Sequence, residues 1–338
     1  MKLERWLLEV WYGSRNRGWW LAPAGWLVRG VSAIRRFLYR HGWLSRVAAG
    51  VPVIVIGNIT AGGTGKTPLV IWLVQKLSDA GLRVGVLLRG YRGISGTWPV
   101  VVTRDTDPVL AGDEAVLIAD RTDARVVADP DRVAGGRRLV AEGVQVIVSD
   151  DGLQHYRLAR DAEIAVVDGA RGIGNGRFIP AGPLRDTPRR LQTVTALVVN
   201  GETDATWPDS FTMQVTGDLA VSLNRGATRP LSGLAGQHVH AVAGIGNPQR
   251  FFSLLEGYKI DIYRHVFSDH ARYQASDLQF DDNLPILMTE KDAVKCAAFA
   301  TEQMWCVPVN VQFSAADTTR LSDLIFTAAG LTGGTSND

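Results

Sequence analysis

The chain has 338 residues, of which 46% are hydrophobic and 21% charged, a composition typical of a folded protein with room for two modest domains. Its two cysteines, Cys296 and Cys306, exclude a disulfide framework and a cysteine-based metal cluster, and they indicate a reducing compartment. The net charge of +2 is small but unevenly distributed.

The first 50 residues form a basic, tryptophan-rich segment. Nine basic side chains stand against two acidic ones, a net charge of +7, whereas the remainder carries −5. Six of the ten tryptophans lie here, at positions 6, 11, 19, 20, 26 and 43. Arginine with tryptophan is typical of a lipid headgroup region, where cations meet anionic lipids and indoles lie between water and acyl chains. We therefore predict that this segment associates with a membrane surface containing anionic lipids.

The same segment is not predicted to cross the bilayer. Only eleven uncharged residues separate Arg17 from Arg29, whereas a spanning helix needs about 20, and no signal-peptide cleavage pattern follows. From Pro23 onward we predict an amphipathic helix. One of its faces carries apolar side chains and another carries arginines: Leu27, Val31, Ile34 and Leu38 against Arg29, Arg36 and Arg40.

Two alternatives remain open for this segment. An amphipathic helix of this pattern can also pack on its own domain. Nucleic-acid binding is a second alternative, but the remaining chain is acidic and contains no recognition motif, so we expect no nucleic-acid partner.

The stretch from Val51 to Pro68 predicts a buried strand followed by a phosphate-binding loop and a helix. Glycines let the loop turn its N–H groups around a phosphate, Lys66 can reach the β- and γ-oxygens, and the Thr67 hydroxyl can bind Mg²⁺. The strict motif has glycine where Thr60 stands, and the alternative is a simple glycine turn. We predict that a nucleoside triphosphate binds the loop residues Thr60, Ala61, Gly62, Gly63, Thr64, Gly65, Lys66 and Thr67.

Strands and helices alternate after this loop, which predicts a doubly wound, mostly parallel α/β sheet of the P-loop NTPase type. The predicted helices span 66–80, where Gly81 supplies a C-cap, and 130–142. The predicted strands span 84–88, 125–128, 144–148, 164–167 and 197–199.

A second, smaller α/β lobe is predicted after a region with a weaker secondary-structure pattern, which contains short strands at 211–215 and 219–223. Its strands are predicted at 240–243, 263–266, 286–288 and 306–311, and its helices at 248–256 and 318–329. We divide the chain into N-terminal membrane-associating helices (1–48), a P-loop core (49–205), linker strands (206–236), a C-terminal lobe (237–331) and a disordered tail (332–338).

Asp150 and Asp151 follow the strand predicted at 144–148. A carboxylate at the C-terminal end of a strand downstream of a phosphate-binding loop is the typical place for a group that holds Mg²⁺ or its waters. An Asp-Asp-Gly turn is the alternative. We predict that Asp150, Asp151 and Thr67 bind the metal, without deciding which aspartate is the closer ligand.

Other polar clusters are weaker signals by themselves. Asp113 and Glu114 open a predicted helix, where they could simply cap it. His270 follows a strand of the second lobe, and a lone histidine is usually structural. The sequence RGYRG (89–93) could contact an anionic group, and a solvated loop is an equal alternative. The sequence GIGNP (244–248) resembles a dinucleotide-binding turn but lacks its third glycine.

Taken together, the motifs resemble the tetraacyldisaccharide 4′-kinase (lipid A 4′-kinase) family over nearly the whole chain. The resemblance lies in GNITAGGTGKTP (57–68), RGYRG, GDEA (112–115), SDDGLQH (149–155), PAGPLRD (180–186), GIGNP, FSDH (267–270) and TEKDAVK (289–295). The family has a small hydroxyl residue at the position of Thr60. It usually has glutamate where this chain has Asp186, which leaves the role of Asp186 open.

The resemblance implies transfer of the ATP γ-phosphate to the 4′-hydroxyl of an acylated glucosamine disaccharide 1-phosphate, with ATP and Mg²⁺ as cofactors. It implies that Asp113 is the base, that His270 is its dyad partner and that Lys66 neutralises charge on the phosphates. It also implies a peripheral location at the cytoplasmic face of the bacterial inner membrane, because the substrate is a lipid.

Two functions from other classes are alternatives. A membrane-positioning ATPase with a deviant P-loop would need lysine before the paired glycines, where this chain has Ala61. A small-molecule synthetase on the same fold would leave the arginine- and tryptophan-rich segment unexplained.

Overall fold

The computed structural model describes residues 2–13, 18–91, 93–224 and 226–331, with the backbone alone for residues 2–5. Arg15 and Arg17 of the basic segment and the tail predicted at 332–338 lie outside the described residues.

The helices and strands alternate through most of the chain. The helices are α1 (Lys2–Tyr12), α2 (Ala22–Arg40), α3 (Lys66–Asp79), α4 (Pro108–Ala111), α5 (Asp113–Arg121), α6 (Arg132–Ala141), α7 (Pro248–Gly257), α8 (Glu290–Cys296) and α9 (Ala315–Ala328). The strands are β1 (Val53–Gly57), β2 (Val84–Leu88), β3 (Val100–Val102), β4 (Arg125–Ala128), β5 (Val146–Asp150), β6 (Ala162–Asp168), β7 (Ala196–Asn200), β8 (Ser210–Thr216), β9 (Leu219–Ser222), β10 (Thr228–Pro230), β11 (His238–Ala243), β12 (Asp261–Val266), β13 (Ile286–Thr289), β14 (Met304–Val307) and β15 (Asn310–Gln312).

In the part of the chain that the structure describes, nine strands form the larger sheet in the order β15-β8-β7-β6-β1-β5-β2-β4-β3. Its interior pairs are parallel, and only the edge strands β3 and β15 run antiparallel to their neighbours. Strand β1 is buried along its length because helices cover both faces of a parallel sheet. The phosphate-binding loop therefore leaves the middle of the sheet, beside β5.

Six of the described strands form the second sheet, in the order β10-β9-β14-β13-β11-β12. Strands β11 to β14 are mutually parallel where they pair, and β9 and β10 extend the sheet antiparallel. Helix α8 of this lobe packs against α5 of the first lobe. The segment after β11 contacts the phosphate-binding loop, where Gly246 meets Gly63, and Thr289 at the end of β13 lines the same cleft as that loop.

Several predicted boundaries are wrong. The strand predicted at 306–311 is two strands, because Pro308 interrupts it: β14 belongs to the second sheet and β15 pairs with β8 of the first. Strand β8, which we placed in the linker, and helix α9, which we placed in the C-terminal lobe, both belong to the first sheet and its core. The predicted domain division itself stays a prediction.

The N-terminal helices pack on the first lobe with one side only. Trp11 donates its indole N–H to the Pro180 carbonyl at 2.9 Å, and Val28 of α2 contacts the core. The opposite side of this segment exposes large apolar side chains, from 51% for Phe37 to 75% for Trp43: Trp19, Trp20, Trp26, Leu27, Val31, Ile34, Phe37 and Trp43. No described helix is both long and apolar enough to span a bilayer.

Candidate active site

The phosphate-binding loop connects β1 to α3 in the expected manner. Gly65 is the N-cap residue of α3 with φ of 87°, a left-handed conformation that favours glycine. A side chain at Gly65 would also collide with Asn200, whose amide donates to the Thr64 carbonyl at 2.9 Å. The N-terminal end of α3, with its unpaired N–H groups, thus faces the cleft.

A neighbouring segment from Pro183 to Asp186 holds the start of this loop. The N–H of Ala61 donates to the Pro183 carbonyl, and that of Arg185 donates to the Ile59 carbonyl, each at 2.7 Å. The Arg185 guanidinium binds both carboxylate oxygens of Asp151, at 2.9 and 2.8 Å, and also contacts Asn58. This segment lies in the PAGPLRD motif, so the motif supports the loop.

Lys66 lies between Asn58 and Asp151. Its ammonium is 3.3 Å from the Asn58 side-chain oxygen and 3.5 Å from an Asp151 oxygen. Burial opposes ionisation of Asp151, but Lys66 and Arg185 outweigh it and hold the pKa of Asp151 well below its usual range. Asp151 is therefore an ionised group with two cationic partners.

Asp150 has a different environment, although it is the next residue. It ends β5 beside β1 and is 2% exposed. Burial raises the pKa of Asp150 to about 7, and the carboxylate of Glu114 adds to this effect, while Lys66 opposes it. A buried acid next to a second acid is the arrangement that a divalent cation stabilises.

The residues fit a magnesium site. Thr67, Asp150 and Glu114 line one cleft, and their oxygens are the ligands that Mg²⁺ prefers. The described residues contain no cluster of three or more His, Cys, Asp or Glu side chains able to hold a metal by themselves, which suits an ion that completes its shell with phosphates and water. The pairing of Asp151 with Arg185 favours Asp150 as the closer ligand.

We expect opposite stability changes on neutralising the two aspartates. Burial raises the pKa of Asp150 to about 7 in the folded protein. Between the pKa of Asp150 in the unfolded protein and this value, the native state binds more protons than the unfolded state, so stability falls as pH rises through that window. Asp150→Asn should therefore raise the Tm of the metal-free protein at pH 8 by several degrees. Asp151→Asn should lower it, because Arg185 loses its partner.

Calorimetry at pH 5 and pH 8 in EDTA measures both changes, with wild-type protein as the reference. The stabilisation by Asp150→Asn should shrink at pH 5, where the wild-type acid is already protonated. A lower Tm for Asp150→Asn at pH 8 would contradict this account of the site.

The predicted dyad is formed across the two lobes. Asp113 begins α5, and the Nδ1 atom of His270 lies 3.0 Å from each of its carboxylate oxygens. His270 has a φ of 60°, which costs a non-glycine residue on the order of 1 kcal/mol, so surrounding contacts hold it in place. Tyr91 packs beside the ring, with centroids 5.2 Å apart.

Two lysines of α8 complete the positive surroundings of this dyad. Lys291 is 3.1 Å from both Glu114 and Asp269 and 3.4 Å from Nε2 of His270, and Lys295 is 3.9 Å from Asp113. Burial alone would raise the pKa of Asp113, but the His270 hydrogen bond and the lysines lower it below the ordinary value. Asp113 is thus ionised at neutral pH.

The GIGNP loop of the second lobe touches the phosphate-binding loop. A Cβ atom on Gly246 would lie 2.5 Å from the backbone nitrogen of Gly63, so the two backbones are in direct contact. Arg171 donates to the Gly246 carbonyl at 2.8 Å, and Arg250 bonds Asp168 at 3.0 Å. The lobes therefore meet on both sides of a cleft of about 1370 Å³.

Of the residues predicted for one site, the loop residues 61–67 line this cleft together with Asp113, His270, Asp150 and Asp151. Thr60 does not, because it is buried where it pairs with Leu184. Sequence reasoning missed Asn58, Arg171, Arg185 and Lys291, which touch these residues or the loops that carry them. The resemblance listed the motifs that contain Asn58, Arg185 and Lys291, but nothing in the sequence shows which side chains they contact. The assignment of ligands and catalytic roles stays a prediction.

Comparison with known proteins identifies the family. The profile of the tetraacyldisaccharide-1-P 4′-kinase family matches residues 17–327. The chain belongs to this family. A tetraacyldisaccharide 4′-kinase from Xanthomonas campestris pv. campestris is 48% identical over 335 residues, covering 90% of this chain and 93% of that one. One from Nitrosococcus oceani is 45% identical over 324 residues, covering 96% and 95%.

A solved structure agrees with this result. The crystal structure described as the "apo" form of LpxK from Aquifex aeolicus in complex with ATP superposes with a TM-score of 0.76 at 28% identity, covering 92% of this chain and 99% of that one. The predicted family, fold class and kinase activity are confirmed. The membrane-positioning ATPase is not favoured.

Proposed function

We propose that this protein transfers the γ-phosphate of ATP to the 4′-hydroxyl of a tetraacyldisaccharide 1-phosphate while it lies on a membrane surface. The contact between Asp113 of one lobe and His270 of the other, at 3.0 Å, carries the proposal. Both residues line the cleft that also contains the phosphate-binding loop, which supports Asp113 as the base beside bound ATP. ATP would bind the loop residues 60–67, with its phosphates at the N-terminal end of α3.

The chain's own residues supply a base and positive charge. The 4′-oxygen attacks the γ-phosphorus, the bond from phosphorus to the bridging oxygen breaks, and ADP leaves. Asp113 accepts the hydroxyl proton, and His270 orients the carboxylate through Nδ1. Lys66 stabilises the charge that develops on the transferred group, which is the main requirement of phosphoryl transfer.

A magnesium ion would be held by Thr67 and Asp150, with Glu114 beside them. When bound, it neutralises charge on the β- and γ-phosphates. Asp151 contributes differently, because its pairing with Arg185 and Lys66 fixes the lysine at the loop. Lys291 connects Glu114 of the first lobe to Asp269 of the second, so it helps to bring the dyad together.

The exposed apolar side of α2 supports the membrane part of the proposal. Leu27 is 70% exposed and Ile34 is 62% exposed, on the side of the helix away from the core. This arrangement does not favour the alternative of a helix whose apolar face packs on its own domain. Arginines and tryptophans of the same segment suit an anionic headgroup layer. We infer a peripheral position at the cytoplasmic face of the inner membrane, where a lipid substrate would reach the cleft.

We expect the exposed apolar side chains of α2 to be required for vesicle binding. Replacing Trp26, Leu27 and Ile34 with serine should weaken binding to phosphatidylglycerol vesicles at least about tenfold, because the apolar area buried in the lipid is lost. Binding of the wild type should also weaken as salt rises, since ions screen the arginines. Sedimentation with vesicles measures both effects.

The matched control replaces Leu219, Tyr263 and Val266, which are also exposed apolar residues but belong to the second sheet. This variant should bind vesicles like the wild type. Equal loss in both variants, or no loss in the α2 variant, would remove α2 as the membrane contact. Deleting residues 1–46 is also predicted to weaken vesicle binding. Because α2 packs on the core as well, the deletion removes core contacts too, and the serine variant is the cleaner test of the membrane contact.

Product analysis tests the reaction. Incubation with ATP, Mg²⁺ and disaccharide 1-phosphate should add one phosphate to the acceptor, and fragmentation should place it at the 4′ position. Hydrolysis of ATP with no phosphorylated acceptor would support the ATPase alternative instead.

A further inference from the structure

The membrane-facing helix α2 is connected to the phosphate-binding loop through one segment, Phe178–Thr187, which we name the brace. A Cβ atom on Gly25 of α2 would lie 2.9 Å from the Phe178 carbonyl oxygen, so the helix packs directly on the start of the brace. At its other end, Arg36 of α2 bonds Asp186 and Thr187, each at 3.3 Å. Helix α1 touches the brace too, through Trp11 and the Pro180 carbonyl.

Asp186 is a buried carboxylate near the C-terminal end of the brace. It is 1% exposed, and its carboxylate accepts hydrogen bonds from Arg36 at 3.3 Å, from the Tyr156 hydroxyl at 2.9 Å and from the Thr187 N–H at 2.7 Å. Burial together with Asp186 raises the pKa of Tyr156 to about 12, so Tyr156 remains a donor. These partners offset the cost of removing the carboxylate from water. Arg36 is the partner that belongs to α2.

The brace continues directly into the active site. Leu184 forms a bridge with Thr60, and the backbone bonds Ala61–Pro183 and Ile59–Arg185 extend this pairing along the start of the loop. The next side chain along the brace, Arg185, holds Asp151 against Lys66. A shift of α2 at the Arg36 end would therefore move backbone that is hydrogen-bonded to the phosphate-binding loop.

We propose that the Arg36–Asp186 ion pair is a positioning contact through which docking of α2 on a membrane sets the conformation of the phosphate-binding loop. The proposal rests on the membrane association proposed above. It gives Asp186 a role that involves neither metal nor substrate. The consequence is that lipid binding and nucleotide binding are coupled, and such coupling must be reciprocal.

Nucleotide titration with and without vesicles tests the coupling. In the wild type, saturating phosphatidylglycerol vesicles should tighten binding of a fluorescent ATP analogue about fivefold or more, the low end of typical coupling between two sites. Arg36→Gln should bind the vesicles but lose this response. Arg36→Lys should restore part of it, because the positive charge remains.

Three further variants separate coupling from a general loss of charge or fold. Arg29→Gln removes an equal charge from an exposed position of the same helix and should keep the response. Asp186→Asn should lose the response, and the Arg36→Gln/Asp186→Asn pair should lose no more than either single variant. If Asp186→Asn does not fold, as judged by circular dichroism, Arg36→Gln carries the test, because Arg36 lies on the surface helix.

The outcomes distinguish the two proposals. Wild-type protein that binds vesicles with unchanged nucleotide affinity, or Arg36→Gln protein that responds like the wild type, would overturn the coupling and leave the kinase proposal intact. Wild-type protein that does not bind vesicles would overturn the membrane association and the coupling together.

Discussion

Lys66→Ala is expected to lower kcat by about 10³-fold, with a smaller effect on KM for ATP. The ammonium lies at the start of α3, 3.3 Å from Asn58 and 3.5 Å from Asp151, where it can meet the phosphates. Charge on the transferred group and on the leaving oxygen changes most in the transition state, so a cation placed there acts mainly on kcat. Steady-state kinetics with saturating Mg²⁺ measures the effect.

Lys76→Ala is the matched control, because Lys76 lies in the last turn of the same helix and does not line the cleft. It should retain nearly full activity. More than about a tenth of wild-type kcat in Lys66→Ala would mean that Lys66 does not stabilise the transferred phosphoryl group. The variant also releases Asp151 from one of its two cations, so its Tm should be recorded beside its kinetics.

The phosphate-binding loop was predictable because its signals are local. Strand β1, the glycines and the start of α3 lie within one short stretch, and each follows from the conformational preferences of its own residues. The order of the strands was not predictable to the same extent. The apolar pattern at 306–311 predicts one continuous strand. Pro308 interrupts this run, and strand β15 after it pairs with the first sheet.

The opposite pKa shifts of Asp150 and Asp151 could not be predicted from the sequence. Both aspartates follow the same strand, and their difference comes from Arg185, which stands 34 residues later and binds Asp151. Burial raises the pKa of both aspartates, but at Asp151 the cations outweigh it, whereas at Asp150 burial and Glu114 outweigh the cations. Such contacts depend on tertiary packing, which no spacing in the chain reveals.

The role of Asp186 illustrates the same limit. The resemblance left it open, because the family usually has glutamate at this position. The structure buries Asp186 against Arg36 and Tyr156, so its geometry suits a packing anchor better than a metal ligand. Arg36, in turn, was predicted only as one arginine on the polar face of an amphipathic helix.

Asp113 and His270 are expected to behave as one unit. They stand 157 residues apart and belong to different lobes, so their pairing came from the resemblance alone, and the structure brings them to 3.0 Å. In the proposed mechanism the histidine acts through the carboxylate, so removing either should leave the other of little use, and losses should not multiply. Asp113→Ala and His270→Ala should each lower kcat by about 10²–10⁴-fold, the usual contribution of general base catalysis.

The double variant decides between one unit and two roles. It should be little slower than the worse single variant, and all three should bind a fluorescent ATP analogue like the wild type, because neither residue belongs to the phosphate-binding loop. His270→Gln, which can still donate a hydrogen bond, should retain more activity than His270→Ala. Since the His270 hydrogen bond and the lysines outweigh burial and lower the pKa of Asp113, this carboxylate stays ionised on the acid side of neutrality, and Asp113 itself should add no loss of kcat/KM between pH 6 and 8. Fully multiplicative losses would instead assign the two residues independent roles, and a nearly active Asp113→Ala enzyme would place the base elsewhere.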